Sequence, residues 1–128
     1  MQPATREAPN QPKAYRRLVV WQKADELAYE IYKATKEFPR DERFGLISQM
    51  RRASVSVAAN IVEGYAHSTK RERRRFYEIA NSSLTELEYY LDFVHLHLSY
   101  TNQSQHEQLV ALREDVGRLL HGLLMFER

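Results

Sequence analysis

Four stretches of this chain repeat apolar residues at alternating spacings of three and four, the period of one face of an α-helix. In the first, Trp21, Ala24, Ala28, Ile31, Thr35 and Phe38 form a stripe that Leu27 and Tyr32 widen, while Lys23, Glu26, Glu30, Lys33 and Glu37 cover the other side. The spacing predicts a helix from about Val20 to Phe38, ended by Pro39, which pushes its predecessor out of helical torsions and has no amide to donate. Ile47, Met50, Ser54, Val57, Ile61 and Gly64 form the second seam, flanked by Leu46 and Ala53, over roughly Gly45 to Tyr65. The third and longest runs from Lys70 to Tyr100, with Phe76, Ala80, Ser83, Leu87, Leu91, Val94 and Leu98 on its apolar side and Ile79, Leu84 and Tyr90 beside them. At 1.5 Å per residue it spans roughly 45 Å. Leu109, Leu112, Val116, Leu119, Leu123 and Phe126 mark a fourth helix, to about Met125.

The breaks between these stretches are short. Thr69 followed by Glu72, and Ser104 followed by Glu107, have the capping-box spacing, which makes Thr69 and Ser104 the expected N-caps. Amphipathic helices joined by short links pack as neighbours running in opposite directions. The expected fold is therefore all-α: an antiparallel, up-down four-helix bundle over residues 18–128. Residues 1–17, rich in Pro, Gln, Asn and Ala and without periodicity, are expected to be a flexible arm.

Composition narrows the class. The 128 residues are enough for one core, and 4 Gly and 4 Pro leave little for a turn-rich β fold. No cysteine is present, so there is no disulfide framework and no thiol nucleophile or ligand. The first residues lack the apolar core of a signal peptide, and no run approaches the ~18 apolar residues of a membrane span. A cytoplasmic protein with no membrane partner is the expectation. Net charge is only +2, but the arm carries Arg6, Lys13, Arg16 and Arg17 against Glu7, so the bundle is nearly neutral and any basic character in it is local.

Two constellations depart from a plain amphipathic pattern. In the second helix, Gln49, Arg51, Arg52, Ser56, Asn60 and Glu63 interrupt the apolar run among small residues. Arg52, Ser56, Asn60 and Glu63 follow spacings of four, four and three, which puts them on one helical side. Polar groups beside close-packed small residues meet a partner. One reading is an inter-helix network of Gln49, Arg52, Ser56, Asn60 and Glu63 with Ser83 and Glu86, setting the register of the bundle or of its subunit contacts. The other is an RNA-reading or catalytic face.

The second constellation is Lys70-Arg71-Glu72-Arg73-Arg74-Arg75, five cations in six residues at a helix start, where they oppose the macrodipole at a cost of some tenths of a kcal/mol each. A broken local rule without local gain points to function. Arg71, Arg74 and Arg75 share a face. Lys70, Arg71, Arg73, Arg74 and Arg75 are thus candidate phosphate contacts, with arginine forks gripping backbone oxygens. The alternative is a solvated turn whose arginines pair with Glu72, Glu78 or a neighbouring subunit.

Catalysis and metal binding find no support. His95 and His97 diverge on a helix, His67, His106 and His121 stand alone, and the paired Glu-x-x-His of a di-iron bundle is missing. No phosphate loop, nucleophile elbow or Ser/His/Asp arrangement occurs. No enzyme activity, cofactor or metal is expected. Tyr77, Tyr89, Tyr90 and Tyr100 can stack on bases but read equally as bundle contacts.

The segments Trp21-Gln22-Lys23-Ala24, Ile31-Tyr32, Phe38-Pro39, Phe44-Gly45-Leu46, Gln49-Met50-Arg51-Arg52-Ala53 and Ser56-Val57-Ala58-Ala59-Asn60-Ile61-Val62-Glu63-Gly64 resemble a bacterial four-helix-bundle family. Its members are called intervening-sequence proteins, because some are encoded in insertions within large-subunit ribosomal RNA genes. Ile79-Ala80-Asn81-Ser82-Ser83-Leu84-Thr85-Glu86-Leu87 resembles the family's second signature, departing at Ser82, where glycine is commoner. The resemblance implies a left-handed bundle assembled as a homopentamer. It extends distantly to the accessory protein of diversity-generating retroelements, whose basic surface engages reverse transcriptase and nucleic acid. The expectation is a non-enzymatic oligomeric scaffold that binds ribosomal or other structured RNA through basic surfaces; the alternative is a protein-assembly module with no nucleic-acid role.

Overall fold

A computed structural model describes residues 13–128. Four α-helices carry the chain: α1 (Val19–Thr35), α2 (Ser48–Ala66), α3 (Lys70–Leu96) and α4 (Gln103–Phe126). Each helix packs on the one before it, and α4 returns to α1, which closes an antiparallel four-helix bundle. No strand occurs among the described residues. Residues 1–12 of the expected arm lie outside the described residues. Its last residues, Ala14–Arg17, form a 3-10 turn held to α1 by Gln22 Nε2 donating to the Arg16 carbonyl (2.8 Å) and by the Tyr15 ring edge-on to Trp21.

The core runs the length of the bundle. Leu27 and Ile31 of α1, Met50, Val57 and Ile61 of α2, Leu84, Leu87, Leu91 and Val94 of α3, and Val116 and Leu120 of α4 are almost wholly removed from water. Each such side chain contributes about 1.5–3 kcal/mol by burial. α2 lies closest to α3, and Gly64 explains how. A Cβ there would stand 2.6 Å from the Tyr77 ring and 3.1 Å from the Arg73 carbonyl. Gly64 sits inside α2 with no positive φ, so close approach, rather than a left-handed cap, is what requires glycine.

Several boundaries differ from the periodicity. α1 ends at Thr35, and Phe38 is drawn into the core by a tighter turn in which its amide donates to the Thr35 carbonyl (3.1 Å). Between α1 and α2 the chain makes a 3-10 turn, Arg40–Glu42, and a wide π turn, Arg43–Ile47, in which Gly45 has non-helical torsions. Helix α3 ends at Leu96, short of Tyr100, because Ser99 takes a left-handed φ of 58° and Tyr100 N–H returns to the Val94 carbonyl (2.9 Å).

Thr69 caps α3, accepting from the Glu72 amide at 3.2 Å, but α4 is capped by Asn102 and not Ser104. Asn102 and Gln105 exchange side-chain-to-backbone bonds of 2.8 and 2.9 Å, an earlier box that places Ser104 inside the helix. The seam of α3 is also rotated at its start: Tyr77 and Leu84 are fully buried while Phe76 and Ser83 are half-buried. A straight helix drifts about 20° per heptad from a 3.5-residue repeat, so a seam extrapolated from one end misses at the other. Phe126 of α4, at the far end of its stripe, is exposed for the same reason.

Candidate nucleic-acid interface

The basic run opens α3 immediately after the α2–α3 turn. Its five cations have different surroundings. Arg73 points inward along the bundle end, where its Nε and Nη2 grip Glu127 at 2.8 and 3.0 Å and its Nη1 reaches the carbonyls of Ser68 and His67 at 2.9 and 3.3 Å. The Glu127 side chain is only 5% exposed, so this pair is nearly shielded from water and carries both hydrogen bonds of a bidentate fork. The Glu127 carboxylate holds the Arg73 guanidinium above its ordinary range, against the burial that lowers it. Arg73 therefore ties the turn before α3 to the residue following α4.

The other four stay at the surface. Arg74 contacts Glu78 at 3.2 Å and Arg75 contacts Glu72 at 3.4 Å, both one turn apart on α3 and both solvated. Arg75 also lies over the Phe76 ring, 5.1 Å from its centroid. Lys70 Nζ donates to the Arg128 carbonyl at 3.1 Å. Arg71 is exposed. Exposed pairs of this kind contribute about 0–1 kcal/mol and exchange readily with an incoming anion.

Beneath this run the Tyr77 hydroxyl is buried with no hydrogen-bond partner among the described residues. Burial pushes its pKa up to about 12; the Glu127 charge adds to the rise, and the Arg73 guanidinium opposes it.

The polar residues of α2 separate into distinct contacts. Ser56 and Ser83 share a hydrogen bond of 2.8 Å across α2–α3, and the Asn60 amide donates to the Ser56 carbonyl (2.8 Å) and hydroxyl (3.1 Å). Tyr90 links Gln49 and Glu86, donating at 2.9 Å to Glu86 and lying 3.3 Å from the Gln49 carbonyl oxygen. Burial, then the bond to Glu86, raises the Tyr90 pKa. Glu63 is not brought to this group; it faces His67 at 3.8 Å, one turn on. Arg52 lies at the rim, beside Ser56 and Glu86, and is exposed.

Arg51, next to it, turns the other way. Its Nε donates to the buried Thr35 hydroxyl (2.8 Å), its Nη2 to the Tyr32 carbonyl (3.2 Å), and its guanidinium covers the Tyr32 ring at 4.5 Å. It adds a charged donor to a carbonyl in the last turn of α1 that the Lys36 amide and the Thr35 hydroxyl already reach, each at 3.2 Å.

The family model described as 23S rRNA-intervening sequence protein matches residues 16–122. The chain belongs to that family. No functionally curated protein matches it. Among solved structures it is similar to a protein of unknown function from the S23 ribosomal protein family of Bacteroides thetaiotaomicron, with a TM-score of 0.76 and 24% identity over 84% of this chain and 96% of that one. That likeness concerns the fold.

In this intervening-sequence protein, two residues outside the predicted site, at opposite ends of the bundle, anchor its arginines. Glu127 lies at the edge of a terminal helix and reads as a solvated charge; its burial depends on where α4 meets the turn before α3. Thr35 reads as a member of the apolar stripe, and its hydroxyl is the anchor for Arg51. Among the described residues no group of three His, Cys, Asp or Glu side chains is placed to hold a metal ion, and no helix is long and apolar enough to cross a membrane. His95 and His106 do stack, with ring centroids 4.1 Å apart, but His95 is engaged with Thr101 (2.9 Å) at the α3–α4 turn.

Proposed function

We propose that this intervening-sequence protein is a non-enzymatic, homo-oligomeric helical scaffold that binds structured RNA or another nucleic acid through basic surfaces. The observation that carries the reading is the state of the run at the start of α3. Lys70, Arg71, Arg74 and Arg75 all remain in or near solvent, and their partners there are exposed carboxylates or a terminal carbonyl. A polyanion can displace such partners at little cost, releasing counterions as it does so. Arg73 is the exception, and its role in this reading is to hold the turn from which the others project.

The pentamer implied by the family resemblance would repeat the patch around a ring, which raises avidity without a strong site on each subunit. Ribosomal RNA is the first partner to try, since the family takes its name from it.

The test is fluorescence anisotropy of a labelled ribosomal-RNA hairpin across a salt series, with the particle mass measured by light scattering in each sample. Reversing Lys70, Arg71, Arg74 and Arg75 to glutamate, with Arg73 kept, should abolish binding and leave the mass unchanged. Unchanged binding in that variant refutes the patch.

A second reading, an assembly module without nucleic acid, draws on apolar side chains left outside the core. Leu96, at the end of α3, and Phe126, at the end of α4, are 70% and 77% exposed. It predicts no salt-dependent RNA binding, and a fall in particle mass when the two are replaced by serine.

A further inference from the structure

A second basic surface lies on the other side of α2, where the turns joining it to α1 open outward. The π turn Arg43–Ile47 carries Phe44, whose side chain is 88% exposed. A phenylalanine left in water forgoes about 1.5–3 kcal/mol of burial. It is not isolated: Tyr32, Tyr29 and Val55 are exposed on the same side. Phe44, Tyr32 and Val55 line a groove of about 640 Å³ together with Arg43, Arg51 and Arg52, and none of the residues lining it is acidic. A neighbouring groove of about 560 Å³ shares Tyr32 and Arg51 and adds Tyr29, Lys33 and Lys36, with Asp25 as its one acid.

The charges here differ in kind from those at the start of α3. Lys36, Arg43 and Arg52 make no ion pair among the described residues. Arg43 lies 5.6 Å from the Phe44 ring centroid and Arg51 4.5 Å from that of Tyr32, so each of these rings has a guanidinium beside it. Arg51 is also fixed by Thr35, which holds one stacking unit in place in advance.

We infer that this α1–α2 groove binds a single-stranded segment of nucleic acid, with unpaired bases stacking on Phe44 and Tyr32 and backbone phosphates meeting Arg43, Arg52 and Lys36. The inference rests on the nucleic-acid reading above and assigns it a second site of different specificity. Exposed rings stack on bases only when those bases are not already stacked on neighbours, so the groove selects single strands. Unpaired cations beside rings supply the phosphate contacts and the cation–π contribution. A duplex stem offers phosphates alone and belongs to the flat patch at the start of α3.

The experiment uses the full chain, a labelled oligouridine 12-mer and a blunt RNA duplex of the same length, by anisotropy at one salt concentration, with light scattering alongside. Phe44→Ala combined with Arg43→Glu and Arg52→Glu should weaken oligouridine binding by at least about tenfold, the scale of losing one stacked base and its phosphates. Duplex binding and particle mass should not change. Because all three side chains are exposed, circular dichroism should report the same helix content. Phe44→Trp is the complement: affinity retained, with the introduced indole quenched on binding. Duplex binding without any oligouridine binding overturns the groove and leaves the α3 patch standing; loss of both probes in the wild-type chain overturns both. A particle mass that falls in the triple variant while oligouridine binding persists also overturns it, making this face a contact between copies.

Discussion

Two arginine-rich regions border α2, and they are built to opposite plans. At the end of α2, the five-cation run of α3 sits where two helices touch most closely. Gly64 admits the Tyr77 ring, Arg73 grips Glu127, and Arg74 and Arg75 lean on carboxylates of their own helix. At its start, Arg43 and Arg52 have no carboxylate partner among the described residues and stand beside exposed rings. The denser run in sequence is the more compensated in space. Charge density along a chain therefore says less about an available surface than the acids folding brings beside it. Arg74 and Arg75 have acids one turn away on their own helix, whereas Arg43 lies on an irregular turn and Arg52 of α2 has Val55 and Ser56 one turn on.

The largest effect is expected where α2 and α3 touch. Gly64→Ala forces a Cβ to within 2.6 Å of a buried ring and 3.1 Å of a backbone oxygen. It should cost about 3 kcal/mol in urea unfolding, at the upper end of overpacking. A loss under about 0.5 kcal/mol would mean that α2 and α3 can slide apart. Arg73→Ala should come next, because it leaves Glu127 nearly buried without its partner. The melting temperature should fall by roughly 5 °C, against almost no change for Arg74→Ala or Arg75→Ala. Equal effects at the three positions would erase the distinction between the inward and outward members of the run.

Alkali probes the same place. Tyr77 ionises near the usual 10 in the unfolded chain but only at about 12 when folded, so the folded state keeps a proton that the unfolded state releases. Stability should be unaffected by this group below pH 10 and should fall by roughly 2 kcal/mol as pH rises from 10 to 12. Tyr77→Phe should flatten that slope and, having no buried unpaired hydroxyl, should be about 1 kcal/mol more stable at neutral pH. The smallest effect belongs to the open side. Phe44→Ala and Arg52→Ala should each change stability by less than about 0.5 kcal/mol, since neither side chain is packed. A larger loss would show that the groove is part of the fold.

The helices themselves were legible because amphipathic periodicity is a local property, and each of the four stripes announces its own helix. So was the cap at Thr69, where one hydroxyl and the amide three residues on suffice. Asn102 was missed for Ser104 because two overlapping boxes compete and the sequence does not say where the preceding turn ends. The pairing of Ser56 with Ser83 was readable as one open alternative, since both lie on helices whose facing sides were known.

Four helices and the residue types on each face follow from neighbours within one or two turns, and those the chain states locally. Only the tertiary structure decided which cations are occupied. Glu127 reaches Arg73 across 54 positions of chain and Thr35 reaches Arg51 across 16, distances over which sequence spacing carries no geometric information. The exposure of Phe44 was likewise settled by the π turn Arg43–Ile47, which leaves an apolar residue in solvent just before α2.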